Sequence, residues 1–174
     1  MLGSYDNFPE NIHLKENYTA QLSTRRLQQR LIRVLQEVNR RTFSFSEIAH
    51  PFTPECTTIF EMGLAESKSF SYIDEEEAKR ALNALKKRTL RLIDLFCAVR
   101  YYKGNDEKKT PLKFDYYLLR IVFGENAMEI QVFHERGPRY ISPEDIATFL
   151  VNRINEASAR KVLKKIEPFQ NSID

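Results

Sequence analysis

LKFDYYLLRIVF, GEN, AMEIQVFHE: residues 112–135 read as two strands joined by a three-residue turn. Successive strand residues point to opposite faces. In the second run Met128, Ile130, Val132 and His134 share one face, and Glu129, Gln131, Phe133 and Glu135 the other. In the first, Asp115, Tyr117, Leu119, Ile121 and Phe123 alternate with Tyr116, Leu118, Arg120 and Val122. A third run, Leu90 to Tyr102, precedes them across the polar stretch Lys103 to Thr110. Its Ile93, Leu95, Cys97, Val99 and Tyr101 form a continuous apolar face, opposed by Leu92, Asp94, Phe96, Ala98 and Arg100. Consecutive strands with short turns make an antiparallel meander with one buried face.

Working outward, Asp74 caps a helix over 75–88, with Glu75, Glu76 and Glu77 at its start and Lys86, Lys87 and Arg88 at its end, as the helix dipole favours. Ser142-Pro143-Glu144-Asp145 opens another helix over 143–156, whose apolar stripe is Ile146, Phe149, Leu150 and Ile154. The same helix is expected to continue, with a break near Ser158, through Val162 and Ile166. Upstream, Leu27, Leu31, Val34, Leu35 and Val38 recur at helical spacing and predict a helix over 24–41. Pro51 and Pro54 keep helix out of 42–56, apart from one possible turn over 46–50. Thr57 to Leu64 and Ser69 to Ile73 read as a strand pair. Residues 1–20 show no period and read as an irregular arm. The expected fold is α+β in two layers, an antiparallel meander packed against helices in the order α-β(β)-α-β-β-β-α, as one domain over 1–174.

The 174 residues suffice for one domain with its own core. Two cysteines, Cys56 and Cys97, suit free thiols in a reducing compartment. With no secretory signal in residues 1–16 and no apolar stretch of membrane length, a cytoplasmic protein that does not enter a membrane is expected. Net charge is only +3, but it is unevenly placed. Residues 21–41 hold six arginines against Glu37, whereas the rest of the chain carries 21 basic and 23 acidic residues.

Two sets of residues are candidates for function. Arg26, Arg30, Arg33 and Arg40 form a stripe beside the apolar face of the first helix, where guanidinium groups can meet phosphate oxygens. The bland alternative is a solvated face with Glu37 pairing a neighbouring arginine. His134, Arg136 and Arg139, with Arg120, form a second set: a titratable base and cations between a strand and a capped helix, where an anion or substrate could sit. By alternation His134 also reads as a hydrogen-bonded histidine at the core edge. His13, His50 and His134 are scattered, and His50 and Cys56 lack a matching second pair, so no metal is expected. Phosphate-cradling glycine motifs and nucleophile motifs are absent, and no cofactor is expected.

These features favour a non-enzymatic binding protein whose basic helical surface contacts nucleic acid or an acidic protein. The alternative is a small-molecule-binding domain or enzyme using the polar sheet face and the His134–Tyr140 segment. A third possibility is a structural subunit of a larger assembly. Phe96, Tyr116 and Phe133 among the charges of the second sheet face call for cover, by the arm, a helix or a second subunit. A homodimer is the expected assembly.

Overall fold

The computed structural model describes residues 1–49, 56–103 and 111–167. In chain order the elements are β1 (Leu14–Ala20), α1 (Thr24–Val38), β2 (Thr42–Ser44), β3 (Cys56–Glu66), β4 (Ser69–Tyr72), α2 (Glu75–Lys87), β5 (Leu92–Lys103), β6 (Pro111–Gly124), β7 (Ala127–Arg136), α3 (Pro143–Glu156) and β8 (Leu163–Lys165). A 3-10 turn, Phe45–Glu47, follows β2. The strands form one sheet in the order β2-β3-β5-β6-β7-β1-β8, with β4 on the far end of β3. Every pairing between these strands is antiparallel. This is the α+β architecture expected, an antiparallel sheet with, among the described residues, three helices packed on it.

The alternation read from the sequence sets the faces. Ile93, Leu95, Cys97, Val99 and Tyr101 of β5 are buried, as are Tyr117, Leu119 and Ile121 of β6 and Met128, Ile130 and Val132 of β7. They meet Leu27, Leu31, Val34, Leu35 and Val38 of α1 and Ile146, Phe149, Leu150 and Ile154 of α3 in a single core. Caps fall where the side chains supply them: the Ser23, Asp74 and Ser142 oxygens accept from the amides of Arg26, Glu77 and Asp145.

Three boundaries differ from expectation. Helix α1 stops at Val38, not 41. Asn39 leaves the helix because its side chain donates to the Ile73 carbonyl and accepts from the Met62 amide. The chain then turns at Arg40, where φ is 62°, and Thr42–Ser44 joins the sheet beside β3. Helix α3 ends at Glu156, and residues 163–165 form β8 against β1. Asn155 makes that exit, accepting from the Val162 and Leu163 amides. Finally, the arm is irregular only to residue 13. Residues 14–20 form β1, which inserts between β7 and β8 with Tyr18 and Ala20 buried. Its apolar period is broken by Glu16, which is tolerated inside because Tyr18 Oη and Lys165 Nζ both reach its carboxylate. The expected connection over 103–110 and the residues Pro51, Pro54 and His50 lie outside the described residues, except Lys103, which ends β5.

The remaining arm, residues 1–13, crosses the outer face of the sheet. Gly3 donates to the Ala65 carbonyl and accepts from the Asp94 amide, so the chain start wedges between β3 and β5. Farther on, the Tyr5 amide donates to Asp94 Oδ2 at 2.8 Å and the Phe8 ring lies 4.3 Å from the Arg120 guanidinium. His13 stacks on Phe133 at 4.8 Å. The arm is thus one of the covers that the aromatic residues of this face called for.

Candidate functional site

The first candidate set divides. Arg26, Arg30 and Arg33, one turn apart on α1, line a concave pocket of about 450 Å³ with Gln29, Glu37 and Ala157. Arg40 is elsewhere: past the helix end, its guanidinium lies 5.7 Å from the Tyr72 ring. Helical periodicity turns the three arginines away from the buried Leu27–Leu31–Leu35 stripe. The segment after α3 closes the other side of the pocket. Arg30 is only half-buried, but its Nη1 is shielded from solvent and has no hydrogen-bond partner among the described residues. Ser158, next to Ala157, has its Oγ in the same condition. A buried donor without a partner is uncommon in a native fold, because its desolvation is uncompensated. Glu37 makes no ion pair with these arginines within 4 Å.

The second set also divides, and for a geometric reason. Arg120 and His134 point to opposite faces of the sheet. Arg120 forms a two-pronged ion pair with buried Asp94, Nε to Oδ1 and Nη2 to Oδ2, both at 2.8 Å. His134 faces inward, with Nε2 2.8 Å from Asp115 Oδ1. Arg139 contributes its backbone amide to the same carboxylate, while its side chain and that of Arg136 are exposed.

Asp115 is the residue that gathers this region, and it was not among the candidates. It is completely buried. Tyr101 Oη donates to its Oδ2 at 2.6 Å, the Arg139 amide to Oδ1 at 2.7 Å and the Tyr140 amide to Oδ2 at 3.0 Å. Tyr117 Oη donates to the Ile141 carbonyl nearby. A β-bulge between Tyr116 and Tyr117 lets His134 meet this cluster. Gly137 has φ of 112°, and a Cβ there would collide with the Phe114 carbonyl and the Asp115 carboxylate. The cluster therefore locks the 137–141 loop onto β6. Burial, then the neighbouring Tyr117 and Asp115, raise the Tyr101 hydroxyl well above its usual range, so it stays a donor. The sequence did carry a signal: an acid sits in register with Tyr117, Leu119 and Ile121 on the core face.

Neither cysteine has reactive character. Burial raises the thiols of both Cys97 and half-exposed Cys56. Among the described residues no three His, Cys, Asp or Glu side chains gather as metal ligands, and no helix is long and apolar enough to cross a membrane.

The fold and pocket define an α+β chain with an eight-stranded antiparallel sheet and an arginine-lined cleft. Comparison with known proteins finds no matching family model, no similar curated protein and no similar solved structure.

Proposed function

We propose that this chain is a non-enzymatic binding protein that takes backbone phosphates of a nucleic acid at the α1 pocket. The observation that carries this reading is Arg30. Among the described residues its shielded Nη1 has no partner and stands in a concave surface between Arg26 and Arg33, with Glu37 as the sole acid lining it. An anion seated there would draw the half-buried Arg30 guanidinium outward and satisfy a donor that is idle among the described residues, with several guanidinium donors in reach. A concave surface with three guanidinium groups along one helix suits successive backbone phosphates better than the flat surface of an acidic protein. An enzymatic reading through His134 has less support, since four donors already occupy the Asp115 oxygens.

The test is a salt titration of duplex and single-stranded oligonucleotide binding. Three arginine–phosphate contacts give a log–log slope of about −2.7 on duplex DNA by counterion release. Changing Arg26 and Arg33 together to Ala should flatten that slope by about two, with the fold intact because both side chains are exposed. Binding should be largely indifferent to sequence, because phosphate contacts carry no base information. Absence of binding at about 50 mM salt, where screening is weak, would refute the proposal.

A further inference from the structure

The outer face of the sheet carries a second cavity unrelated to the arginine pocket. It is a trough of about 370 Å³ that runs across the strands, from Phe70 and Tyr72 of β4 to Glu135 of β7. Tyr5, from the arm, forms one wall, and Phe96 and Leu118 lie between. The aromatic residues continue as a ladder. Ring centroids are 4.7 Å apart for Tyr5–Phe70, 5.6 Å for Phe70–Phe96 and 5.6 Å for Phe96–Tyr116.

Gly63 lines the trough. A Cβ there would sit 3.1 Å from Phe70 Cβ and 3.8 Å from Phe96 Cβ, so any larger side chain would project between these two walls. Glycine weakens a strand interior, and one common reason for its presence is close approach of another group. The charge is equally specific. Among the lining residues Glu135 alone is charged, and it makes no ion pair among the described residues. Among the described residues no lysine or arginine lines the trough, and the Arg40 guanidinium, 5.7 Å from the Tyr72 ring, lies at the opposite end from Glu135. Aromatic rings present negative faces that attract cations. This protein already uses that property on the same face: guanidinium groups lie 4.3 Å from the Phe8 ring centroid and 6.0 Å from that of Phe114.

We propose that the trough binds an organic cation of the methylated-ammonium class at its β5–β7 end, its alkyl groups against Phe96 and Leu118 and its charge balanced by Glu135. The same chemistry occurs in a free quaternary ammonium and in a methylated lysine side chain.

Calorimetric titration of the full chain tests this with three probes: choline, its neutral isostere 3,3-dimethylbutanol, and N-acetyl-trimethyllysine methylamide. Choline and the trimethyllysine derivative should bind at least about fivefold more tightly than the neutral isostere, the ratio given by one ordinary cation–π contact. The tighter of the two cations then distinguishes a free ammonium from a protein side chain. Phe96→Leu, which keeps apolar volume but removes the ring, should weaken both by about fivefold or more. Glu135→Gln should weaken them while leaving the neutral probe unchanged, and this exposed residue has no fold-bearing contact to lose. Equal affinity for the charged and neutral probes would overturn the proposal. So would no binding at tens of millimolar, or Glu135→Gln binding like the parent. A dimer in sedimentation whose trough takes no probe would assign the face to a second copy of the chain and overturn it as well.

Discussion

Replacing Asp115 with alanine removes one acceptor group shared by four donors: Tyr101 Oη, His134 Nε2 and the amides of Arg139 and Tyr140. Each donor left buried without a partner costs about 1–3 kcal/mol. The two amides belong to an exposed loop and can turn to water once the loop is released, so their loss is small. Tyr101 has no such exit, being fully buried, and His134 is nearly so. Two stranded donors plus the loss of loop packing give a destabilisation of about 3–4 kcal/mol. With a urea dependence of about 2–3 kcal/mol/M for a chain of this size, the unfolding midpoint should fall by about 1.5 M. Far-UV circular dichroism and tyrosine fluorescence suit the measurement, since the chain has eight tyrosines and no tryptophan. Asp115→Asn keeps the volume and one acceptor oxygen, and should lose about half as much. A midpoint for Asp115→Ala within about 0.4 M of the parent, at unchanged slope, would refute the clasp and reopen a catalytic role for the Asp115–His134 pair.

Three other outcomes follow from the arm and the outer face. Arg120→Ala leaves Asp94 buried without its counter-charge and should destabilise by about 3 kcal/mol, while making residues 1–13 more sensitive to limited proteolysis; unchanged proteolysis would separate the arm from this ion pair. His13 titrates below the ordinary histidine value of 6.5, through partial burial, then nearby Arg139 and His134, and its neutral Nδ1 accepts the His134 amide. A lowered folded value means that this contribution is complete above the unfolded value and is lost as pH falls through the folded one, so exchange of the His134 amide should quicken on acidification below pH 6.5; exchange that instead slows, after correction for intrinsic rates, would reverse the sign. The exposed Phe114 and the Tyr116 ring stacked beside it, outside the trough lining, support a homodimer that leaves the trough open: sedimentation at about 10–50 µM should show a dimer that Phe114→Lys converts to monomer, and a monomeric parent would remove this expectation.

The sequence by itself determined the meander, the three helices and their buried stripes. These are local facts: residue alternation fixes which way a strand side chain points, and Ser23, Asp74 and Ser142 cap helices through bonds made within three residues. The core face of β5, β6 and β7 could therefore be named residue by residue. Tertiary structure alone decided β1, β2 and β8. β1 and β8 make their hydrogen bonds with strands far away in the chain and β2 with a strand 13–17 residues on, and their own residues, Glu16 among them, carry too little apolar period to announce it. It also decided the sites. A helical wheel places Arg26, Arg30 and Arg33 on one side of α1, but only the packing of residue 157 beside them makes that side a pocket. Arg40 was lost from the set because Asn39 found partners on β3 and in the segment before α2. His134 and Arg120 are near in sheet register yet separated by the sheet itself. Asp115 holds its place because four donors from three separate segments converge on it, a convergence that exists only once the sheet is assembled.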